Sequence, residues 1–310
     1  MPTTNLNSGH IDKVTYDMKV TRVLVTGANG FIGKHLCKRL TADNGFNIVD
    51  GKSGRYRKLL DVTNFGQLAS ACRNVDTVVH LAGKTSIKGS LRDPYKSYHI
   101  NYIGALNLLE ASRLRDVKRL INVSTFVYGQ PYEVPINEKH RIVPHSPYTK
   151  SKLLAEMICQ YYSSDFGIDV VTLRPFQIYG PGARPDSFIP SVIQQIARKG
   201  EVCLNGKSVS RDFLFVDDFV VLIIAILNSF PNGYNVYNVG FGKSHTLEKI
   251  AIILADLMNK RIKVNYEEAY SSPSRTNVRA DITKVSEAFR WKPRVTIEEG
   301  LKFTMESNSF

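Results

Sequence analysis

The segment VTRVLVTGANGFIGKHL, residues 20–36, joins a β-branched run to a glycine-rich turn and then to the start of an amphipathic helix. Its three glycines let the backbone turn tightly after a strand and lie close to a ligand. The helix that follows offers free N–H donors and the positive end of its dipole, which suit a pyrophosphate. Glycine-rich turns are common, but a strand before the triplet and a helix after it favour dinucleotide binding. The residues predicted to contact that cofactor are Gly27, Asn29, Gly30, Phe31, Ile32 and Gly33.

Beyond this segment the chain alternates short β-branched runs with helix-like stretches, which is the pattern of a parallel sheet covered by helices. With right-handed crossovers, this pattern predicts an α/β fold with a Rossmann-like doubly wound parallel sheet. The predicted strands are 20–26, 46–50, 75–80, 118–124 and 168–174, and the predicted helices are 31–42, 63–73, 94–114 and 147–164.

The alternation of strand-like and helix-like stretches becomes less regular after Arg174. Residues 175–186 (PFQIYGPGARPD) are rich in proline and glycine and are predicted to form a loop. We therefore predict a dinucleotide-binding domain over 18–174. Over 175–310 we expect mainly a smaller C-terminal substrate-binding lobe, with some elements returning to the main sheet. Residues 1–17 are polar and unpatterned, and are predicted to be an extension outside the fold.

Composition narrows the class of protein. The 310 residues include 41 Lys+Arg and 28 Asp+Glu, a net charge of +13 that suits nucleic acid, an anionic membrane or phosphate-bearing ligands. The longest apolar run, 219–227, is far shorter than the ~18 residues of a membrane span, and no secretory signal is recognisable. Four scattered cysteines indicate neither a metal site nor a disulfide framework, and favour a reducing, cytoplasmic compartment.

The end of the second predicted strand bears on the choice of dinucleotide. Asp50 stands where an acid accepts the ribose 2′-OH of NAD, but the basic segment 51–58 (GKSGRYRK) follows it. That segment is a candidate cup for the 2′-phosphate of NADP, and its alternative interpretation is a solvated turn. The predicted phosphate ligands are Lys52, Ser53 and Arg55. They favour NADP and leave NAD open. Asp61 is predicted to cap the next helix and, with Val62, to lie near the adenine ring.

A tyrosine–lysine pair is the main candidate for proton chemistry. Tyr148 and Lys152 are four residues apart on a predicted helix, so their side chains share a face. A nearby ammonium stabilises a tyrosinate and lowers the phenol pKa toward the range useful for proton transfer. With fifteen tyrosines in a lysine-rich chain, about one such pair arises by chance. Ser124 ends the fourth predicted strand, at the edge where parallel sheets hold ligands, although a lone serine there commonly caps a turn.

In this order, the motifs resemble the extended short-chain dehydrogenase/reductase family, which includes nucleotide-sugar epimerases, dehydratases and ketoreductases. The resemblance runs from about Val20 to Leu301. Besides the glycine triplet, the YxxxK pair and Ser124, five residues before the glycine of VYG, the matching segments are HLAG at 80–83, NYIG with NLLE at 101–110, RPF with YGP at 174–181, RDF with VDD at 211–218, ADITK at 280–284 and WKP at 291–293.

The resemblance implies roles for particular residues. Tyr148 would exchange a proton with a sugar hydroxyl or ketone, most often at C4, while the nicotinamide takes or gives the hydride. Lys152 would hold the nicotinamide ribose, and Ser124 would hydrogen-bond the same sugar oxygen. The further cofactor contacts implied are Leu81, Ala82, Gly83, Asn101 and Pro175. The substrate contacts implied are Ser86, Ser124, Thr125, Phe126, Gln177, Arg211 and Arg275, with Arg211 clamping the substrate's phosphates.

Departures from the family pattern restrict the expected reaction. The 4,6-dehydratases carry Asp-Glu directly after the catalytic threonine, whereas Thr125 and Phe126 stand there, so we expect no dehydratase chemistry. The short basic segment between Asp50 and Asp61 favours an exchangeable cofactor. We therefore expect NAD(P)H-dependent reduction of a nucleoside-diphosphate 4-keto-(6-deoxy)hexose at C4. A 4-epimerase with tightly bound NAD remains the alternative, and a catalytically silent NAD(P)-binding scaffold a remote one.

The expected partners follow from the same resemblance. They are a nucleoside-diphosphate sugar and a second copy of the chain, joined through a four-helix bundle of 94–114 and 147–164. Neither nucleic acid nor a membrane is expected, because no recognisable nucleic-acid motif accompanies the positive charge.

Overall fold

The structure is a computed structural model that describes residues 21–43, 45–50, 60–267 and 277–306, with the backbone alone at 49 and 50. Its strands are β1 (Thr21–Thr26), β2 (Phe46–Asp50), β3 (Thr77–His80), β4 (Arg119–Val123), β5 (Asp169–Pro175), β6 (Gln177–Tyr179), β7 (Glu201–Asn205), β8 (Ser210–Phe215), β9 (Tyr234–Val239), β10 (Ser244–Thr246) and β11 (Lys263–Glu267). Its helices are α1 (Phe31–Thr41), α2 (Phe65–Ala71), α3 (Ile87–Arg92), α4 (Pro94–Tyr98), α5 (Gly104–Leu114), α6 (Pro147–Phe166), α7 (Phe188–Lys199), α8 (Val216–Asn228), α9 (Leu247–Leu257), α10 (Thr283–Phe289) and α11 (Ile297–Glu306).

A six-stranded parallel sheet forms the centre, in the order β2-β1-β3-β4-β5-β9. Its β-branched residues are buried because helices cover both faces, as Val78, Ile121 and Val171 illustrate. Strands β2 and β3 lie on opposite sides of β1. Helix α1 therefore begins at the point where the strand order reverses, which is where open α/β sheets bind ligands. The predicted Rossmann-like doubly wound sheet is confirmed.

Two apolar layers enclose this sheet. On one face α1 and α8 pack together, with Leu36, Phe219 and Ile223 in the core. On the other face the core includes Leu68 of α2 and Leu108 of α5. Thus α8 and β9, which come late in the chain, belong to the central sheet and its helical cover.

The remaining elements form a second core. Apolar residues of α7, α9 and α11 pack with strand residues such as Val202 of β7 and Phe213 of β8. Two small sheets, ordered β10-β8-β6 and β11-β7, accompany these helices. In the chain this lobe begins directly after β5, and β6 is its first strand.

Two local predictions needed correction. The predicted loop 175–186 contains strand β6, which runs parallel to β8 with Gln177 opposite Phe213. Flanking prolines and glycines hide this strand in the sequence, and its partner lies far along the chain. The predicted helix 94–114 is interrupted by a π-helical turn over His99–Ile103. In the described ranges no helix is both long and apolar enough to cross a membrane.

Candidate active site

The turn after β1 is shaped for close approach of a ligand. Gly27 has a φ of +72°, and a Cβ atom there would lie 2.7 Å from the Ala82 backbone nitrogen. A Cβ at Gly33 would collide with the Gly27 carbonyl. Helix α1 begins after Gly30 without a side-chain cap, and its first turn carries no acidic residue. Free N–H groups and an open backbone therefore fit the pyrophosphate of a dinucleotide.

The HLAG segment, residues 80–83, packs against this turn. Hydrogen bonds from the side chain of Asn101 to the next residue hold the segment in place. Buried Asn101, in the π-helical turn, accepts a hydrogen bond from the Lys84 backbone nitrogen at 2.7 Å and donates to the Lys84 carbonyl at 3.0 Å. It also donates to Ser151 Oγ at 2.9 Å, which joins the segment to α6. Asn101 thus holds the wall beside Gly83, and its predicted direct contact with the cofactor stays a prediction.

Helix α6 presents Tyr148 and Lys152 near its start. Ser146 and Thr149 form a capping box, so the first turn is fixed. Lys152 is 4% exposed, and burial lowers the pKa of its ammonium to about 8, although Cys159 and Glu156 raise it. Burial raises the pKa of the Tyr148 phenol, against a hydrogen bond with Thr125 and the nearby Arg184 charge. The site therefore combines a proton-bearing phenol with a desolvated cation.

Two neighbouring hydroxyls at the end of β4 take different partners. Ser124 is 4% exposed and donates its proton to the Glu156 carboxylate. Thr125 is partly exposed and lies near enough to the Tyr148 phenol to lower its pKa. Of these two predicted substrate contacts, Thr125 thus lies near the phenol, whereas Ser124 is buried against Glu156.

A buried ion pair lies beneath these residues, and the sequence analysis missed it. Arg174 donates from Nε to both Glu156 oxygens, at 3.2 Å to Oε1 and 3.0 Å to Oε2, and from Nη2 to Oε2 at 2.6 Å. Arg174 Nη1 also donates to the Tyr128 hydroxyl at 2.9 Å, and that hydroxyl donates to Asn238 at 2.6 Å. The usable signal was the spacing of Tyr148, Lys152 and a carboxylate at i, i+4 and i+8 on one helix face.

The residues expected to hold the substrate lie on several elements. Phe126 contacts Phe176 edge to face, with ring centroids 5.1 Å apart. Arg211 is partly exposed on β8 and donates to the Ser210 carbonyl at 2.7 Å. Ser86 caps α3 by accepting from the Gly89 nitrogen at 3.0 Å. Gln177 is partly buried on β6, and Pro175 ends β5. Their roles toward a ligand stay predictions.

Arg184 is a further cation at the site, absent from the predicted set. It follows β6 in the Gly-Pro-rich loop and donates to Thr85 Oγ1 at 2.8 Å. It also pairs with Asp186, at 2.9 Å from Nε. Its charge is close enough to the Tyr148 phenol to lower that pKa. A proline- and glycine-rich loop gives no periodic pattern from which this placement could be inferred.

The adenosine end is only partly described. Asp61 accepts from the Thr63 nitrogen at 2.9 Å in a local turn, and Asn64, not Asp61, caps α2. Val62 is buried against Gly104. Four of the predicted residues, with the side chain of Asp50, lie outside the described residues: Lys52, Ser53, Arg55 and Arg275. Across the part of the chain that the structure describes, no cluster of three metal-ligating side chains occurs.

Known proteins are similar to this chain in sequence and in fold. A UDP-glucuronate 4-epimerase of Thermodesulfobacterium geofontis is 33% identical over 91% of this chain and 94% of its own length. A GDP-6-deoxy-D-mannose reductase of Pseudomonas aeruginosa is 32% identical, covering 91% of this chain and 95% of its own. The solved structure of RMD from Pseudomonas aeruginosa with NADPH superimposes with a TM-score of 0.83 at 31% identity, over 93% of this chain and 98% of that one.

A family model also matches the part of the chain that contains the candidate site. The model of the NAD dependent epimerase/dehydratase family matches residues 23–240, which include the glycine turn, HLAG, Tyr148 and Lys152. The resemblance seen in the sequence is thereby confirmed, and the cofactor is a nicotinamide dinucleotide, NAD or NADP. The chain belongs to the NAD-dependent epimerase/dehydratase family of extended short-chain dehydrogenases/reductases, and is a nucleotide-sugar-modifying enzyme.

Proposed function

We propose that this protein moves a hydride and a proton at C4 of the sugar of a nucleoside-diphosphate sugar. The observation that carries the proposal is the juxtaposition of Tyr148, its Thr125 partner and the buried Lys152 ammonium beside the glycine turn. Such a site can donate or accept one proton at an oxygen while a dinucleotide lies along the carboxyl edge of the sheet.

The residues divide the proton chemistry among them. In the reducing direction the Tyr148 phenol gives its proton to the C4 oxygen, and Lys152 stabilises the tyrosinate that results. Thr125 lies near the phenol and lowers its pKa, which favours the ionised form. A bound nicotinamide supplies or accepts the hydride. In the oxidising direction the same tyrosinate takes the proton from the C4 hydroxyl.

Reduction of a 4-keto-6-deoxyhexose with NADPH is the first form of this reaction that we propose. Only ten residues separate Asp50 from Asp61, and four of these ten are Lys or Arg. A short, basic segment suits a 2′-phosphate and leaves the adenosine less enclosed, so that the oxidised cofactor can leave after each turnover. The likeness to a GDP-6-deoxy-D-mannose reductase is consistent with this form.

The second candidate is 4-epimerisation, and Arg184 specifically favours it. A guanidinium beside the phenol suits a sugar with an anionic substituent near C4, because arginine binds a carboxylate with two parallel hydrogen bonds. A 6-deoxyhexose offers no such group, whereas a hexuronate does. The likeness to a UDP-glucuronate 4-epimerase agrees with this candidate.

The deciding experiment uses the full-length chain with both classes of substrate. GDP-, UDP- and dTDP-4-keto-6-deoxyhexoses are each mixed with NADPH or NADH, and stoichiometric loss of absorbance at 340 nm supports reduction. UDP-glucuronate and UDP-glucose are incubated without reduced cofactor, and a C4 epimer detected by NMR supports epimerisation. The matched control is Tyr148→Phe, for which we expect turnover to fall by about 10³-fold while the cofactor still binds. Turnover close to that of the unaltered enzyme in this variant would contradict the role of Tyr148.

We further propose that the enzyme forms a homodimer through α6 and the helices beside it. Leu154, Met157 and Tyr161 are 37%, 44% and 56% exposed and lie at helical spacing on one face of α6. Leu91 and Tyr95 add 64% and 76% exposed side chains on α3 and α4. Such a stripe on packed helices suits a four-helix interface. Sedimentation at micromolar concentration is expected to give twice the monomer mass, and a Met157→Glu variant is expected to give the monomer.

A further inference from the structure

Strand β8 places a buried carboxylate next to the residue predicted to clamp the substrate's phosphates. Arg211 is partly exposed and Asp212 is 0% exposed, because neighbouring residues of a strand project to opposite faces. We propose that Asp212 is a positioning residue that fixes Arg211 for binding the diphosphate of the nucleotide sugar. The proposal rests on the proposed function, and it adds a residue that acts through Arg211 without touching the ligand.

The Asp212 carboxylate accepts three backbone hydrogen bonds. Its Oδ1 accepts from the Phe241 nitrogen at 2.6 Å, and its Oδ2 accepts from the Gly242 and Ala280 nitrogens, each at 3.0 Å. A Cβ atom at residue 240 would lie 2.8 Å from Oδ2, so the glycine there lets the loop approach the carboxylate. Burial raises the pKa of Asp212 to about 6, whereas the three N–H donors lower it. The group is therefore ionised at pH 7.5, and its hydrogen bonds are charge-assisted.

These donors lie on two segments that cross between the central sheet and the C-terminal lobe. Residues 240–243 leave β9 of the central sheet and enter β10, which pairs with β8 of the lobe. Ala280 lies between β11 of the lobe and α10, whose Val285 packs in the core of the central sheet. One carboxylate on β8 therefore ties both crossings to a single strand, and its loss is expected to loosen both.

The same hydrogen bonds set the strand register around Arg211. Strand β10 runs antiparallel to β8 and pairs with it at Arg211, and the bonds from residues 241–242 fix where β10 begins. On the other side of β8, the 277–280 segment bridges to Ser210, whose Oγ donates to Asn277 Oδ1 at 3.0 Å. The Ser210 carbonyl in turn accepts from Arg211 Nη1 at 2.7 Å. The buried carboxylate thus holds the segments on both sides of the strand that carries the guanidinium.

A second buried carboxylate provides the matched control. Asp218 of α8 is 6% exposed, and its Oδ2 accepts from the Arg294 and Val295 nitrogens at 3.0 and 2.9 Å. Those donors belong to the crossing between α10 and α11, which includes neither β10 nor the 277–280 segment. Replacing either aspartate by asparagine therefore weakens a buried tie between the central sheet and the lobe, but only Asp212 bears on the position of the clamp.

Binding of UDP, GDP and dTDP to the full-length chain at pH 7.5, measured by titration calorimetry, tests the proposal. For the nucleotide that binds most tightly, we expect Asp212→Asn to raise Kd by about 10-fold and Asp218→Asn by less than about twofold. Arg211→Met is expected to raise Kd by about 30-fold, and adding Asp212→Asn to it by less than about threefold more, because Asp212 acts through Arg211. The Kd values for NADPH and NADH are expected to change by less than about twofold in all four variants. Equal effects of the two aspartate variants, or a double variant in which the single effects multiply, would overturn the proposal.

Hydrogen exchange in the unaltered enzyme gives a second readout, which requires no variant to fold. Adding the same nucleotide is expected to slow exchange of the amides of residues 241, 242 and 280, and to leave those of residues 294 and 295 as they were. Unchanged exchange at the first three amides would overturn the proposal.

The two measurements also separate this proposal from the proposed function. If the unaltered enzyme bound none of the three nucleotides, both this proposal and the predicted role of Arg211 would be overturned. If a nucleotide bound but no nucleotide sugar was turned over, the proposed function would fail, and binding and hydrogen exchange would still decide the role of Asp212.

Discussion

Two arginine–carboxylate pairs flank the candidate site, and their surroundings differ sharply. Glu156 and Arg174 lie beneath Tyr148 and Lys152, with side chains 3% and 6% exposed. Arg184 and Asp186 lie at the open edge, with side chains 46% and 65% exposed. The buried pair contacts Ser124 and Tyr128, whereas the exposed pair is tied to the protein chiefly through Thr85.

Under the proposed function, this difference separates the residues for catalysis from the residue for substrate specificity. A buried ion pair is strongly destabilising to break, because one charge remains without water or a partner. An exposed pair contributes about 0–1 kcal/mol and can reorganise when a ligand arrives. Under the proposed function, the residues proposed for proton transfer are thus fixed by the fold, and Arg184, proposed to select the sugar, can change partners. One scaffold could then keep the proposed C4 chemistry while its substrate varies.

The largest expected effect comes from removing the buried charge. Glu156→Gln keeps the shape of the side chain but leaves the Arg174 guanidinium unpaired, so we expect a loss of about 3–5 kcal/mol in the free energy of unfolding. The matched control is Glu110→Gln, which breaks a two-bond pair with Arg113 at 2.8 and 2.7 Å on the surface. That control is expected to cost less than about 1 kcal/mol. Urea unfolding of both variants measures the difference, and equal losses would refute the contrast.

The two regions also differ in how far the sequence predicts them. Tyr148 and Lys152 were predictable because helical spacing fixes which side chains share a face. The distinction between Ser124 and Thr125 was not, because counting back from the glycine of VYG does not reveal which side chain points inward. Arg184 and β6 were hidden for another reason. Their position depends on contacts with Thr85 and β8, which lie far away in the chain.

A smaller effect is expected at the exposed pair, and it concerns selectivity. Arg184→Met removes the cation beside the phenol, so we expect kcat/KM for an anionic sugar to fall by about 10–100-fold relative to a neutral one. Asp186→Asn is the matched control, because it breaks the same ion pair and leaves the cation in place. Its selectivity is expected to change by less than about threefold. Competition between UDP-glucuronate and UDP-glucose measures the ratio.

Stability should be almost untouched in both of these variants. Surface substitutions of this kind change the free energy of unfolding by about 0.5 kcal/mol or less. If Arg184→Met unfolded as readily as Glu156→Gln, the exposed pair would be structural after all. An unchanged selectivity ratio would remove the argument for an anionic sugar and leave the reductase as the better proposal.

The smallest expected effect is a pH-dependent change in the free energy of unfolding. It arises where helix α1 contacts the loop after β6. His35 of α1 contacts Asp217 Oδ1 and the Pro181 carbonyl, each at 2.9 Å. A neutral imidazole has one N–H, so both contacts are hydrogen bonds only when the ring is protonated. The bond with Asp217 raises the pKa of His35 above 6.5, against burial and the Lys38 charge, and lowers that of Asp217.

The sign of the pH effect follows from this direction. Because the pKa of His35 is higher in the folded state, its stabilisation is complete below pH 6.5 and is lost as pH rises through the folded pKa. The stabilisation from Asp217, with its lowered pKa, is lost only at much more acidic pH. His35→Gln is therefore expected to cost about 0.5–1 kcal/mol at pH 6 and less at pH 9. Urea unfolding at the two pH values measures this change, and Lys38→Gln controls for the loss of a positive charge on α1. A cost that grew toward pH 9 would mean that the neutral ring makes these contacts, and that the 181–187 loop is held to α1 without a charge.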